Sequence, residues 1–423
     1  MIIVLLSIVT LLVVMVFNFK LRLRRRRKVK IPTIIASSPE VAFEIMKTHD
    51  LAFCSKPTNV VLMKFFYNGL DISFSKYGEH SNMKRVASFR SVREGEVHVF
   101  IQSIRCSCMF SDDGQCNRTK LHDLVIETVE LMGGFSIGDF FPSLGWLSVI
   151  TGFKGKLEMN FKRMDEFFER EIEEHYLSLM TVQGHDDQED DFLDVLLKLQ
   201  KDSTNLGFSL TRDHIKAILM DISLARTDTS VATIEYAMKE LMRYSLIMKK
   251  RQDVVRGVIR NKGKVEECDL QQLQYLKLVI NETLRLHCIV PLLLPRERTK
   301  ECNVLGYDIS KNTMVLVNAW AIARDPKFWE NPKVLMLERF QGSAINYKDQ
   351  HFEFILFCAD RRICPGMQLG VIAVEIALAN ILYHFNWELL IEMCYKEIDM
   401  ANTFGLVLIK ICHYSFKQDR QIF

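Results

Sequence analysis

A chain of 423 residues, 48% hydrophobic and 25% charged with only 19 Gly and 9 Pro, has the composition of a globular protein. Disorder, collagen-like repeats and a polytopic membrane protein are excluded. The formal charge of +3 conceals an asymmetry. Eight basic side chains (Lys20, Arg22, Arg24, Arg25, Arg26, Arg27, Lys28 and Lys30) crowd into residues 20–30, and the remaining body is mildly acidic. No basic face is demanded of the body, so nucleic acid is not an expected partner. Eleven cysteines, an odd number in a long chain, exclude a small disulfide-stapled scaffold. Cys106, Cys108 and Cys116 cluster without the His or fourth Cys of a zinc site.

Residues 1–19 carry no charge and as a helix would rise about 28 Å, close to the hydrocarbon thickness of a bilayer. The basic run follows at once. This order predicts an uncleaved, single-pass transmembrane anchor (1–19), a basic juxtamembrane linker (20–31) on anionic headgroups, and a cytosolic body (32–423). A cleaved secretory signal is the alternative, but the charge follows the apolar run and no A-x-A-like site is present. A cytosolic body makes Asn117 and Asn281, both in N-x-T contexts, poor glycan sites.

Few glycines and prolines predict a helix-rich fold. A helix opens at Ser38-Pro39-Glu40 and runs towards Asp50. Leu157, Phe161, Met164, Phe168, Ile172 and Leu179 form one apolar stripe on a helix of about 25–30 residues. The acidic stretch 182–191 reads as an exposed loop, followed by a short helix at 192–201. Residues 211–244 contain no Gly or Pro and open with Thr211 as N-cap; the helix predicted there would span about 50 Å. On it Ile218, Ile222, Ala225 and Thr229 share a stripe with Arg226 beside it. Another helix covers 269–287. Short strands are expected near 303–317, with turns at Gly306 and Asp308, and an apolar helix at 367–385. No Gly-rich phosphate loop is present, so nucleotide binding has no support.

Four constellations carry chemistry. Asp228-Thr229-Ser230, mid-helix, places an acid beside a hydroxyl that can relay protons. Glu282 and Arg285 lie three apart on one helical face and can pair. Arg339, in Leu337-Glu338-Arg339-Phe340, can complete a buried Glu–Arg–Arg network. Finally, Phe357-Cys358-Ala359-Asp360-Arg361-Arg362-Ile363-Cys364-Pro365-Gly366 sets a cysteine just before a helix N-terminus, where thiolate is favoured. A thiolate can ligate haem iron, and Arg362 can neutralise a haem propionate.

Taken in order, these resemble the cytochrome P450 family, of the plant microsomal type that includes many terpenoid hydroxylases. The likeness runs over roughly 32–410 and includes 284–297 (LRLHCIVPLLLPRE), 317–332 (VNAWAIARDPKFWENP) and Arg362-Ile363-Cys364-Pro365-Gly366. It implies a mainly α fold with small β-sheets (α+β) and a haem b cofactor. Cys364 would be the iron ligand, with Arg362, Arg85, Phe357 and Gly366 about the haem. Glu282, Arg285 and Arg339 would form the network beneath it, and Asp228 and Thr229 would deliver protons. It further implies a monooxygenase that inserts one atom of O2 into a small lipophilic, terpenoid-like molecule. Electrons would come from NADPH through a membrane-bound cytochrome P450 reductase, at the endoplasmic reticulum. Substrate walls are expected from 57–72, Ile218 and Ile222, Ile289–Leu294, and Thr403–Leu406.

The sequence also departs from the family. Arg226 stands where a glycine lies over the haem, and a guanidinium there would crowd the oxygen pocket. Cys358 and Asp360 occupy common glycine positions of the cysteine loop. Ser81 replaces the tryptophan four before Arg85, and Leu337 a proline. The hinge, first helix and first strands expected after the basic run are missing, and material is short between Cys106 and Val125. These departures keep a second function open: a degenerate, non-catalytic, membrane-anchored protein with impaired haem binding.

Overall fold

The structure is a computed structural model, and it describes residues 32–77, 115–133, 139, 144–181, 192–201, 208–260, 262–348, 351–388 and 417–420. The anchor, the basic linker, Ser81, Arg85, the 182–191 loop and Thr403–Leu406 lie outside the described residues.

The chain enters through β1 (Thr33–Ala36), then α1 (Pro39–Phe43), which passes into one π-helical turn at Glu44–Thr48 and is followed by α2 (Asp50–Phe53). Ser38 caps α1 by accepting the Val41 N–H at 3.4 Å, with Pro39 in the first turn. Then come α3 (Val60–Phe65), α4 (Gln115–Gly133), α5 (Leu147–Ile150), α6 (Phe153–Thr181) and α7 (Phe192–Lys201). The long α8 (Arg212–Arg243) and α9 (Ser245–Ile259) precede α10 (Gln274–Leu286). Short strands β2 (Arg296–Glu297), β3 (Cys302–Val304), β4 (Tyr307–Ile309) and β5 (Met314–Val317) follow, then α11 (Ala319–Ile322), α12 (Met367–His384), β6 (Phe385–Glu388) and β7 (Lys417–Arg420).

The apolar stripe of α6 is buried as its spacing requires: Leu157, Met164, Phe168 and Ile172 are each 3% exposed or less. Thr211 caps α8 in a reciprocal box with His214, and the uninterrupted run to Arg243 crosses the molecule, packing against α4, α6, α10 and α12. Helix α12 is apolar on every side, which suits a helix surrounded by protein. It is long and apolar enough to cross a membrane by composition, yet 56% of that window is buried against neighbours, so it is a core helix.

The sheets are small. β5 pairs β1 in parallel, Thr33 facing Met314 through Ala36 facing Val317, and pairs β2 antiparallel. β3 and β4 form a hairpin turning at Gly306, whose φ of +88° suits glycine. β6 and β7 form another hairpin.

Two expectations need correction. The first strands are not wholly missing, because Thr33–Ala36 is a strand held by the parallel ladder to β5, a partner nearly three hundred residues away. The helix expected from 269 begins only at Gln274, because Glu267–Gln271 is a tight turn closed by Glu266 and Asp269.

Candidate active site

The cysteine loop is closed by the Cys364 N–H donating to the Phe357 carbonyl at 2.9 Å. Asp360–Arg362 forms a single 3-10 turn, and Gly366 is the N-cap of α12. Cys364 therefore sits just ahead of a long helix N-terminus, a placement that favours thiolate. Cys358 (φ +59°) and Asp360 (φ +54°) are both in the left-handed region. These two positions are where glycine would be unstrained, and each side chain costs about 1 kcal/mol or more.

Arg362, only 6% exposed, reaches from this loop to the N-terminal part of the chain. Its Nε donates to the Cys54 carbonyl at 2.6 Å, Nη1 to Ile72 at 3.3 Å and Nη2 to Ser75 at 2.5 Å. The turn 71–75 that receives it is held from the other side by Asp221 of α8, which accepts the Ile72 and Ser73 N–H groups at 3.2 and 3.1 Å. One five-residue turn thus ties the cysteine loop to the long helix.

Between them lies an apolar cavity of about 240 Å³. Phe357, Cys364 and Pro365 wall one side, and Leu224, Ala225, Thr229, Ser230 and Thr233 of α8 another. Phe66, Ile72, Ile289, Val290, Leu293 and Leu294 complete the apolar lining. Thr229 Oγ1 donates to the Ala225 carbonyl at 2.7 Å, and Thr233 repeats the pattern towards Thr229, the back-bonding by which hydroxyls bend a helix. Asp228 and Arg226 lie on α8, but their side chains are outside the described residues. The expected wall positions Ile218 and Ile222 are corrected: they turn away from the cavity and pack with Ile172, Phe192 and Leu196. The face of α8 towards the cavity runs through Asp221, Leu224, Ala225 and Thr229 instead.

Several charged groups in and behind this wall carry no signal strong enough to single them out in the sequence. Asp71 is fully buried, and burial together with the neighbouring Asp221 charge raises its pKa; Asp221 is raised by its own burial. Lys56, 1% exposed, lines the cavity, and burial pulls its ammonium down to about 7. Arg296 and Arg362 press on it in the same sense. Asp50 pairs Arg296 at 3.4 Å and Arg361 at 2.9 Å. What signal there is lies in a lone acid in the apolar run 217–225 and a lone lysine in 53–57.

The expected Glu–Arg–Arg network is assembled. Glu282 receives Arg285 through two bonds, Nε to Oε2 at 2.7 Å and Nη2 to Oε1 at 2.8 Å. Arg339 Nε and the Met336 N–H reach the same Oε1 at 3.2 and 2.9 Å. Arg285 also donates to the Ala323 and Pro332 carbonyls, both at 2.8 Å, and its guanidinium lies 5.3 Å from the Trp329 ring centroid. Glu282 and Arg285 are completely buried, and each oxygen and nitrogen of the pair has a hydrogen-bond partner, the condition a buried salt bridge must meet.

A family model described as Cytochrome P450 matches residues 96–413. The chain belongs to the cytochrome P450 family. Among the family's curated members, Cytochrome P450 71A1 of Persea americana is 41% identical over 416 residues, covering 89% of this chain and 83% of that protein. Costunolide synthase of Cichorium intybus is 38% identical (89% and 82% covered), and desmethyl-deoxy-podophyllotoxin synthase of Sinopodophyllum hexandrum also 38% (90% and 81%). A zebra fish cytochrome P450 structure with progesterone superposes with a TM-score of 0.72 over 92% of both chains at 18% identity, which speaks for the fold. The P450 fold and the class of P450 monooxygenase are thereby shown.

The residues present fit a haem. An apolar cavity with a cysteine in one wall suits a flat apolar macrocycle and a thiolate ligand. The buried cations Lys56, Arg296 and Arg362 crowd one another, and Arg296 Nε has no hydrogen-bond partner among the described residues. Such an excess of buried positive charge asks for carboxylates. Cys364 would hold the iron. Arg362 spends three of its five N–H donors on backbone carbonyls, so its charge and the two remaining N–H groups would serve a propionate.

Proposed function

We propose that this chain is a membrane-anchored haem-thiolate monooxygenase that inserts one oxygen atom from O2 into a small lipophilic, terpenoid-like substrate. Electrons come from NADPH through cytochrome P450 reductase at the endoplasmic reticulum. The observation that carries the reading is the apolar cavity with Cys364 in one wall and Thr229 in the facing helix. The haem b supplies oxygen activation, and the chain supplies the rest. Cys364 ligates, Phe357 and Gly366 shape the loop around it, and Arg362 and Arg85 balance propionate charge. Thr229 Oγ1 borders the cavity with its own proton parked on the Ala225 carbonyl, and Asp228 precedes it as the acid that recharges the hydroxyl. Glu282, Arg285 and Arg339 brace the region below. The apolar walls select a hydrocarbon-rich substrate, and the names of the relatives, costunolide synthase among them, support a plant secondary metabolite.

The test is the spectrum of the reduced protein with carbon monoxide. A strongly red-shifted Soret band, lost in Cys364→Ser, is the expected result. A second reading, a non-catalytic protein with impaired haem binding, is favoured by Cys358 and Asp360 in left-handed backbone. Its signature is a colourless purified protein, or one whose band is not shifted.

A further inference from the structure

Lys56 stands apart from the other cations of the site. Its side chain is in the cavity wall and essentially inaccessible from bulk water. Its ammonium has three donors, and the hydrogen bond found for it is to the Leu294 carbonyl at 3.3 Å. Among the described residues no carboxylate lies within ion-pair distance of it. The anionic influences on it come first from the Cys358 sulfur and only weakly from Asp71, which its own burial and Asp221 drive towards the neutral form. An amine beside an otherwise apolar cavity, with donors to spare and no counter-ion, either gives up its proton or keeps its charge by pairing with an acid that the occupant of the cavity brings. Methionine would fill the same volume with no such demand.

Resting on the haem-thiolate reading above, we propose that Lys56 is a carboxylate-binding residue of this cavity, so that the occupant it recognises is an amphiphile with an acid group on an apolar body. The carboxylate has two available sources, a lipophilic acid substrate or a propionate of the porphyrin. Both present the same oxygen pair to the same ammonium.

The experiment compares the full-length holoprotein with Lys56→Met and Lys56→Arg, the latter keeping the charge. Calorimetry with submicellar dodecanoate and with dodecan-1-ol reads acid recognition without relying on a chromophore. Transfer of haem to apomyoglobin reads porphyrin retention. A substrate source predicts that Lys56→Met weakens dodecanoate by about tenfold or more, leaves dodecan-1-ol and haem transfer unchanged, and is restored by Lys56→Arg. A porphyrin source predicts faster haem transfer by a similar factor, with the acid-to-alcohol preference unchanged. A folded Lys56→Met protein in which neither quantity moves overturns the proposal, as does a Lys56→Arg protein no better than Lys56→Met. Failure of the underlying reading shows elsewhere, as a missing carbon monoxide band, and the calorimetric comparison stands independently of it.

Discussion

The sharpest mechanical prediction concerns Glu282→Gln. The glutamate is the single anion between two guanidiniums, and it accepts three arginine bonds and one backbone bond, none longer than 3.2 Å. Glutamine keeps one acceptor oxygen, which at the Oε1 position still faces Arg285 Nη2, Arg339 Nε and the Met336 N–H, but the negative charge is gone and the bond from Arg285 Nε to Oε2 is lost. Its amide then turns a donor towards another donor. Breaking one partner of a buried pair costs about 3–5 kcal/mol, and the retained oxygen puts this change near 3 kcal/mol. Native domains hold only about 5–15 kcal/mol, so the variant loses a large share of its margin. Urea unfolding followed by circular dichroism should show the midpoint about 1 M lower, taking a slope of about 3 kcal/mol/M. Arg339→Met should cost less than Arg285→Met. It gives up one bond to Glu282 and releases the Asn331 carbonyl, whereas Arg285 gives up two and releases the Ala323 and Pro332 carbonyls. A Glu282→Gln midpoint within about 0.2 M of the parent, or the reverse order of the two arginines, would refute the view that this network carries the region.

Other outcomes follow from the same geometry. Asp71 has a folded-state pKa raised above its unfolded value of 3.8. Its contribution to stability is therefore complete below that value and lost as pH rises through the raised one. The melting temperature of the parent should fall more steeply between about pH 5 and about pH 8 than that of Asp71→Asn, and parallel curves would contradict the assignment. Cys358→Gly should raise the melting temperature by the equivalent of about 1 kcal/mol. Asp360→Gly should gain less, because aspartate tolerates left-handed backbone better; thermal melts that reverse this order would count against the strain. Arg226→Gly, at the position where the family has glycine, should raise substrate turnover several-fold in the reconstituted system, and an unchanged rate with a full haem complement would remove the blocked-pocket account.

The long elements were readable because their signals are local. The stripe of α6 and the unbroken run and Thr211 cap of α8 need only a dozen or so neighbouring residues to declare themselves. The Glu282–Arg285 pair was likewise visible as spacing, whereas the left-handed demand at Cys358 and Asp360 came only from the resemblance, which puts glycine at both positions. What could not be read depends on partners far away in sequence. β1 is four residues with no pattern of its own, made a strand by β5. Ile218 and Ile222 share a helical stripe with Ala225, yet α7 claims them for its own core. Lys56 and Asp221 look ordinary one at a time, and only folding brings them to the wall of one cavity, with Asp71 buried beside Asp221.

The reach of Arg362 has a consequence for how the chain is made. Its bonds to the carbonyls of Cys54, Ile72 and Ser75 span 308, 290 and 287 positions, and Lys56 meets Leu294 across 238. At about 5–20 residues per second, the ribosome needs roughly 15–60 s between delivering the first partner and the last. Through that interval Ile45, Met46 and Phe53, wholly shielded in the finished molecule, have no β5 or cysteine loop to cover them. That apolar surface of the nascent chain therefore stays uncovered by its native partners until the last third emerges, the stage at which aggregation competes with folding.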